Sequence, residues 1–203
     1  KIRKGAAGYV DASTAIAPLE VPAGKVDGSH GDIHIYGNPH YWLDPENGKV
    51  IARSILASLK RVDPAGAQTY QSNYEAFAQR IDARIKDWQA RMAPLKGKKV
   101  VTYHTTWNYF LKRFGMTLAD TVEPKPGIPP SAAHLNGLIA DMKREGVTLV
   151  MTAGYYPTRF TDLLAREAKA TVVTLPTSVG GAKGADDFFS LFDVTITQLR
   201  DAK

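Results

Sequence analysis

From Lys96 onward, four short apolar runs alternate with four amphipathic segments, and this alternation constrains the fold more than any other feature. Residues 99–103, 117–122, 147–152 and 171–175 read as strands, and 106–114, 131–146, 158–169 and 186–200 read as helices. Ser131 suits a helix N-cap and Gly146 a helix end. Strands joined through helices pair in parallel, with helices on the sheet's faces. The expectation is an α/β unit over 94–203, with a four-stranded parallel sheet flanked by helices. In open sheets of this kind, ligands bind beyond the carboxyl ends of the strands. The residues just after each strand are therefore the place to look for chemistry.

Upstream the pattern changes. Asp63-Pro64 is a helix start, with Asp at the cap and Pro at the first helical position. A single apolar seam follows, made of Tyr70, Tyr74, Phe77, Ile81, Ile85, Trp88 and Met92. It predicts one helix over 64–93, about 45 Å long at 1.5 Å per residue. That length points to a beam joining two lobes, with a long helix packed on one domain as the alternative. Asp44-Pro45-Glu46 repeats the start signal for a helix to about Arg61, whose apolar face is Val50, Ile51, Ile55, Leu56 and Leu59. Residues 1–48 are rich in Gly and Pro. They read as loops with at most short strands, for instance around Leu19-Glu20-Val21. The expected division is 1–63, the remainder of an N-terminal lobe; 64–93, the linking helix; and 94–203, the C-terminal lobe. The chain opens without Met and reads as a fragment or a processed product.

Composition removes several functions. With no cysteine, a disulfide scaffold, a Cys-ligated zinc site, an iron–sulfur cluster and a thiol nucleophile are excluded. Lys and Arg number 26 against 20 Asp and Glu, but the basic residues are scattered and not interleaved with aromatics, so nucleic acid is not an expected partner. No apolar run reaches the roughly 18 residues of a membrane helix.

Histidine is the informative residue. His104 follows the first predicted strand of the α/β unit, where it reads either as a structural hydrogen-bonding residue or as a ligand. His30, His34 and His40 fall within eleven residues, 30–40. Imidazole suits Zn, Cu, Fe and Ni, and short His-rich tracts point to metal; a flexible polar loop is the alternative for His30 and His34. His134 reads as a capping-region residue. Gly180-Gly181-Ala182-Lys183-Gly184 matches neither glycine-rich phosphate motif and reads as a connection.

Asn38-Pro39-His40-Tyr41-Trp42-Leu43-Asp44-Pro45 resembles the NPHxWxDP signature of the zinc/manganese solute-binding proteins of ABC importers, the cluster A-I or ZnuA/TroA-like receptors. Val101-Thr102-Tyr103-His104, followed by Trp107-Asn108-Tyr109-Phe110, is similar to that family's second-lobe histidine motif. Glu123-Pro124 with Pro129-Pro130-Ser131 is similar to its EPS segment. The resemblance implies a two-lobed periplasmic-binding-protein-like fold with a long interlobe helix, here lacking the start of the first lobe. It implies metal held in the interlobe cleft, with His40 and His104 as ligands, and delivery to a membrane permease from the periplasm or a lipid-anchored position at the cell surface.

The family's third histidine lies in the early first lobe and finds no counterpart here. Its acid after the last strand is also missing, since Leu175-Pro176-Thr177-Ser178-Val179-Gly180-Gly181 holds none. Water, Asp186, His30 or His34 are the candidates to complete the site. Loss of an oxygen ligand favours Zn²⁺ over Mn²⁺. Asp44 is a candidate to orient an imidazole, against its N-cap role. Glu123 is a candidate partner of His104, against a role in holding its proline-rich loop. The expected protein is a receptor and not an enzyme. A zinc-dependent hydrolase with Glu123 as base, and a metal-free adhesin-like module on the same fold, are the alternatives.

Overall fold

The computed structural model describes residues 3–24, 31 and 34–202. Its helices are α1 (Pro45–Val62), α2 (Ala67–Met92), α3 (Asn108–Phe114), α4 (Ala132–Glu145), α5 (Thr158–Ala168) and α6 (Phe188–Asp201). Its strands are β1 (Lys99–Thr102), β2 (Thr117–Thr121), β3 (Leu149–Thr152) and β4 (Thr171–Thr174), in the sheet order β2-β1-β3-β4. Every pairing is parallel. Fold class, strand count and helix alternation agree with the sequence reading, with ends shifted by a residue or two.

Alternation along each strand builds two cores. Val100, Leu149, Met151 and Val173 face a layer holding Phe110, Phe114, Phe192 and Ile196 of α3 and α6. Val101 and Val150 face the other side, against Leu135, Leu138 and Met142 of α4 and Leu164 of α5. This segregation follows from right-handed crossovers in a sheet whose order reverses at β1. Connections leave β1 and β3 in opposite directions, so a crevice opens at their carboxyl ends.

The predicted helix over 64–93 is α2 with a 3₁₀ turn at each end, Pro64–Gly66 and Ala93–Leu95. Its seam is divided. Tyr70, Tyr74 and Phe77 are half-buried, and Arg53 Nε donates to Tyr74 Oη at 3.1 Å, so this half lies along α1. Ile81, Ile85, Trp88 and Met92 are buried. Asp193 of α6 accepts from Trp88 Nε1 at 2.8 Å and pairs with Arg84 and Arg91, so this half lies on the sheet's helical layer.

Residues 19 and 20 form a bend, and 18–21 hold no strand. A strand needs a neighbour to take its backbone groups, and here the Leu19 amide donates to Tyr109 Oη at 2.9 Å instead. Glu20 takes φ +56°, in the left-handed region.

Candidate metal centre

His104 leaves β1 in extended conformation, φ −131° and ψ 169°, and caps the 3₁₀ turn Thr105–Trp107. Its carbonyl accepts from Thr102 Oγ1 at 2.7 Å. Past its own end, β2 stays paired, the Glu123 amide donating to Tyr103 O at 3.0 Å. That register sets Glu123 beside His104. Nδ1 of His104 lies 2.8 Å from Glu123 Oε2, with side-chain exposures of 16% and 12%. The same oxygen accepts the Gly127 amide at 3.2 Å. An oxygen accepting a backbone N–H acts as the bare acceptor, so the His104 proton sits on Nδ1 and Nε2 carries the free lone pair. Glu123 thus fills both roles weighed for it: it holds His104 and the proline-rich loop together.

His40 arrives from a different direction. It precedes the 3₁₀ turn Tyr41–Leu43, which docks where Leu43 is buried in the sheet's core and Trp42 Nε1 donates to Thr177 O at 2.8 Å. The imidazoles of His40 and His104 stand edge to face, ring centroids 5.4 Å apart at 77°. Nδ1 of His40 lies 2.8 Å from Asn38 Oδ1, which also accepts the His40 amide at 2.9 Å. Burial, with His104 and His34 adding repulsion, pushes the His40 pKa from 6.5 down to about 4. The ring is therefore neutral and available as a ligand at neutral pH.

Asp44 is engaged elsewhere. Its Oδ1 accepts the Glu46 amide at 2.9 Å, capping α1. Arg113 clamps it with two bonds, of 2.7 and 2.8 Å. The imidazole of His40 is met by Asn38 and not by Asp44. The short local reach from Asn38 to a residue two positions on is a common Asn pattern; it is the one signal that would have identified this role from sequence.

A cavity of about 240 Å³ opens beside His104, lined by Glu20, His34, Asn38, His104, Thr105 and Pro126 among others. His34 therefore faces the same space. Asp186 is exposed, stands one residue before the Asp187 cap of α6, and does not line this cavity. His30 lies outside the described residues. His134 Nε2 is 3.0 Å from Thr121 O, with its amide on the Ser131 cap. Among the described residues no group of three or more His, Asp and Glu side chains is gathered closely enough to hold a metal ion. Tyr156, after β3, stacks on Tyr103 at 4.1 Å and stands 6.5 Å from His104. Burial raises its hydroxyl pKa well above the usual value.

A family model described as the periplasmic component A of the zinc-uptake complex matches residues 2–202. The high-affinity zinc uptake system protein ZnuA of Brucella abortus (strain 2308) is 29% identical over 150 residues, 74% of this chain and 45% of that protein. The chain thus spans less than half the length of that relative. A crystal structure of ZnuA superposes with a TM-score of 0.79 and 26% identity, over 95% of this chain and 69% of the other. The laminin-binding protein Lmb of Streptococcus agalactiae, described as having adhesin and metal-transporting activity, superposes with a TM-score of 0.77 at 21% identity, over 95% of this chain and 70% of the other. At that identity the likeness is one of fold.

Proposed function

The chain belongs to the ZnuA family of periplasmic zinc-uptake components, and from that premise we propose that it captures Zn²⁺ and hands it to the membrane permease of an ABC importer. The observation that carries this reading is the facing pair of imidazoles, His40 and His104, 5.4 Å apart between centroids and each engaged through Nδ1. Zn–N bonds of about 2.0–2.1 Å in tetrahedral geometry bring two nitrogens to roughly 3.3 Å of each other. Partners on Nδ1 are what metal-bound histidines need to keep their orientation.

The two ligands come from opposite sides of one crevice, His104 from the end of β1 and His40 from the segment ahead of α1. In this reading α1 and residues 1–63 belong to one lobe and 94–203 to the other. α2 spans them as a stiff member and restricts their relative motion. His34, facing the adjoining cavity, is the candidate third ligand; water, His30 or Asp186 remains for the fourth position. Imidazole donors favour Zn²⁺ over Mn²⁺, which prefers more oxygen. The location that goes with this work is the periplasm, or a lipid anchor at the cell surface.

A hydrolase needs a base free to take a proton from zinc-bound water. Oε2 of Glu123 is taken up by His104 and Gly127, a positioning role that favours the receptor over an enzyme. The deciding experiment is zinc titration by chelator competition on the parent chain, His40→Ala and His104→Ala. One-to-one binding that is lost in both variants is the expected result. Binding unchanged in both overturns the site.

A further inference from the structure

The amide of Asn38 has one orientation that satisfies its neighbours, and that orientation decides which nitrogen of His40 is left free. Nδ2 of Asn38 lies 2.6 Å from Glu20 Oε2 and 2.8 Å from Thr105 O. Neither a carboxylate nor a carbonyl can donate. The NH₂ end of the amide must therefore face Glu20 and Thr105, which leaves Oδ1 toward His40. Oδ1 accepts only, so the His40 proton is drawn to Nδ1 and the bare lone pair stays on Nε2. A flipped amide would set two oxygens against each other at Glu20 and a donor against the His40 backbone N–H.

Glu20 is built into this arrangement. Its second oxygen accepts from Asn108 Nδ2 at 2.5 Å, and Asn108 is the first residue of α3, just after the His104 turn. The flanking backbone is pinned at both sides. Leu19 O accepts the Asn38 amide at 2.7 Å, and Tyr109 Oη takes the Leu19 amide while donating to Asn38 O at 2.9 Å. The approach needs glycine at 37, where φ is +98° and a Cβ would sit 2.7 Å from Leu19 O. Glu20 itself holds φ +56°, a conformation unfavourable for a residue with a side chain, and such strain persists where the surroundings enforce it. Asn38 is 7% exposed, so an unpartnered amide there is costly.

We propose that Glu20 is a positioning residue for His40: acting through the Asn38 amide, it selects the Nδ1–H tautomer and aims the bare Nε2 at the site. Its meaning for zinc rests on the capture reading above, whereas the tautomer itself does not require metal. Glu123 does the same for His104 directly. The pair is thus prepared by two carboxylates, one in contact and one through an amide.

The test is ¹⁵N NMR of the histidine rings in metal-free protein near neutral pH, with zinc affinity by chelator competition, on the parent, Glu20→Ala and Glu20→Gln. Glu20 is exposed, so its removal empties no core. The expected result is an Nδ1–H tautomer of His40 in the parent, mixed tautomers and about tenfold weaker zinc binding in Glu20→Ala, and recovery of both in Glu20→Gln, which restores an acceptor. A tautomer and affinity unchanged in Glu20→Ala overturn the proposal and leave capture at His40 and His104 standing. Zinc binding indifferent to His40→Ala and His104→Ala overturns the capture reading, while the metal-free tautomer comparison still decides the role of Glu20.

Discussion

At the scale of single residues, the site is governed by what stands behind each imidazole. His104 has a carboxylate and His40 has an amide. Folded His40 holds its pKa near 4, against 6.5 for an unconstrained ring, because burial and two neighbouring histidines disfavour its charge. Between those values the unfolded chain binds a proton that the folded chain does not. Stability therefore falls as pH drops from about 6.5 toward about 4, and His40 adds no pH dependence above that window. Thermal unfolding of the metal-free chain is expected to show a falling midpoint through this window, with a smaller fall in His40→Gln. Equal pH dependence in the two proteins would contradict the shift. His40 and His104 could be nominated as ligands from the sequence because each sits in a recognisable motif. The duties of Asn38 and Glu20 were not, because an amide's orientation depends on acceptors 18 and 67 residues away.

Elements show the same division. Helix starts at Asp44-Pro45 and Ser131 were readable because capping is local, decided within one turn. Asp44 caps α1, but its grip on Arg113 links it to α3, 69 residues on, and no local pattern announces that. The strand suggested at 19–21 failed because strands need a continuous ladder of partners, and among the described residues this segment has a single backbone bond, from Asn38 N–H to Leu19 O, with the Leu19 N–H on a side chain. Helical glycines give a test of packing against propensity. In α1 a Cβ on Gly48 would come 2.6 Å from Cζ of Phe188, a ring held among Phe77, Phe189 and Phe192. In α4 a Cβ on Gly137 meets nothing within 4 Å. Alanine gains up to about 1 kcal/mol over glycine within a helix, and overpacking costs about 1–3 kcal/mol. Gly137→Ala is expected to raise the midpoint of chemical denaturation and Gly48→Ala to lower it. A shift of the same sign in both would mean that α1 and α6 are packed more loosely than the structure has them.

Across the whole molecule, the zinc capture proposed here, by residues from two segments, would tie binding to stability. A ligand that binds the folded chain alone stabilises it by about 2.7 kcal/mol at a hundred times its dissociation constant. For a chain of this size that is a rise in melting temperature of roughly 5–10 °C, expected with zinc in the parent and absent in His104→Ala. An equal rise in both would mean that zinc binds away from the crevice. The sequence by itself determined the α/β class, the parallel sheet and the two long helices ahead of it, and nominated the two histidines, because periodicity, capping and short motifs act over a few residues. Tertiary structure alone decided that His40 faces His104, that Glu123 binds imidazole and loop at once, that Asp44 turns to Arg113, and that Glu20 reaches His40 through Asn38. Each of those depends on segments distant in sequence being brought within hydrogen-bond distance, where the directionality of a lone pair or an N–H, and not residue type, sets the outcome.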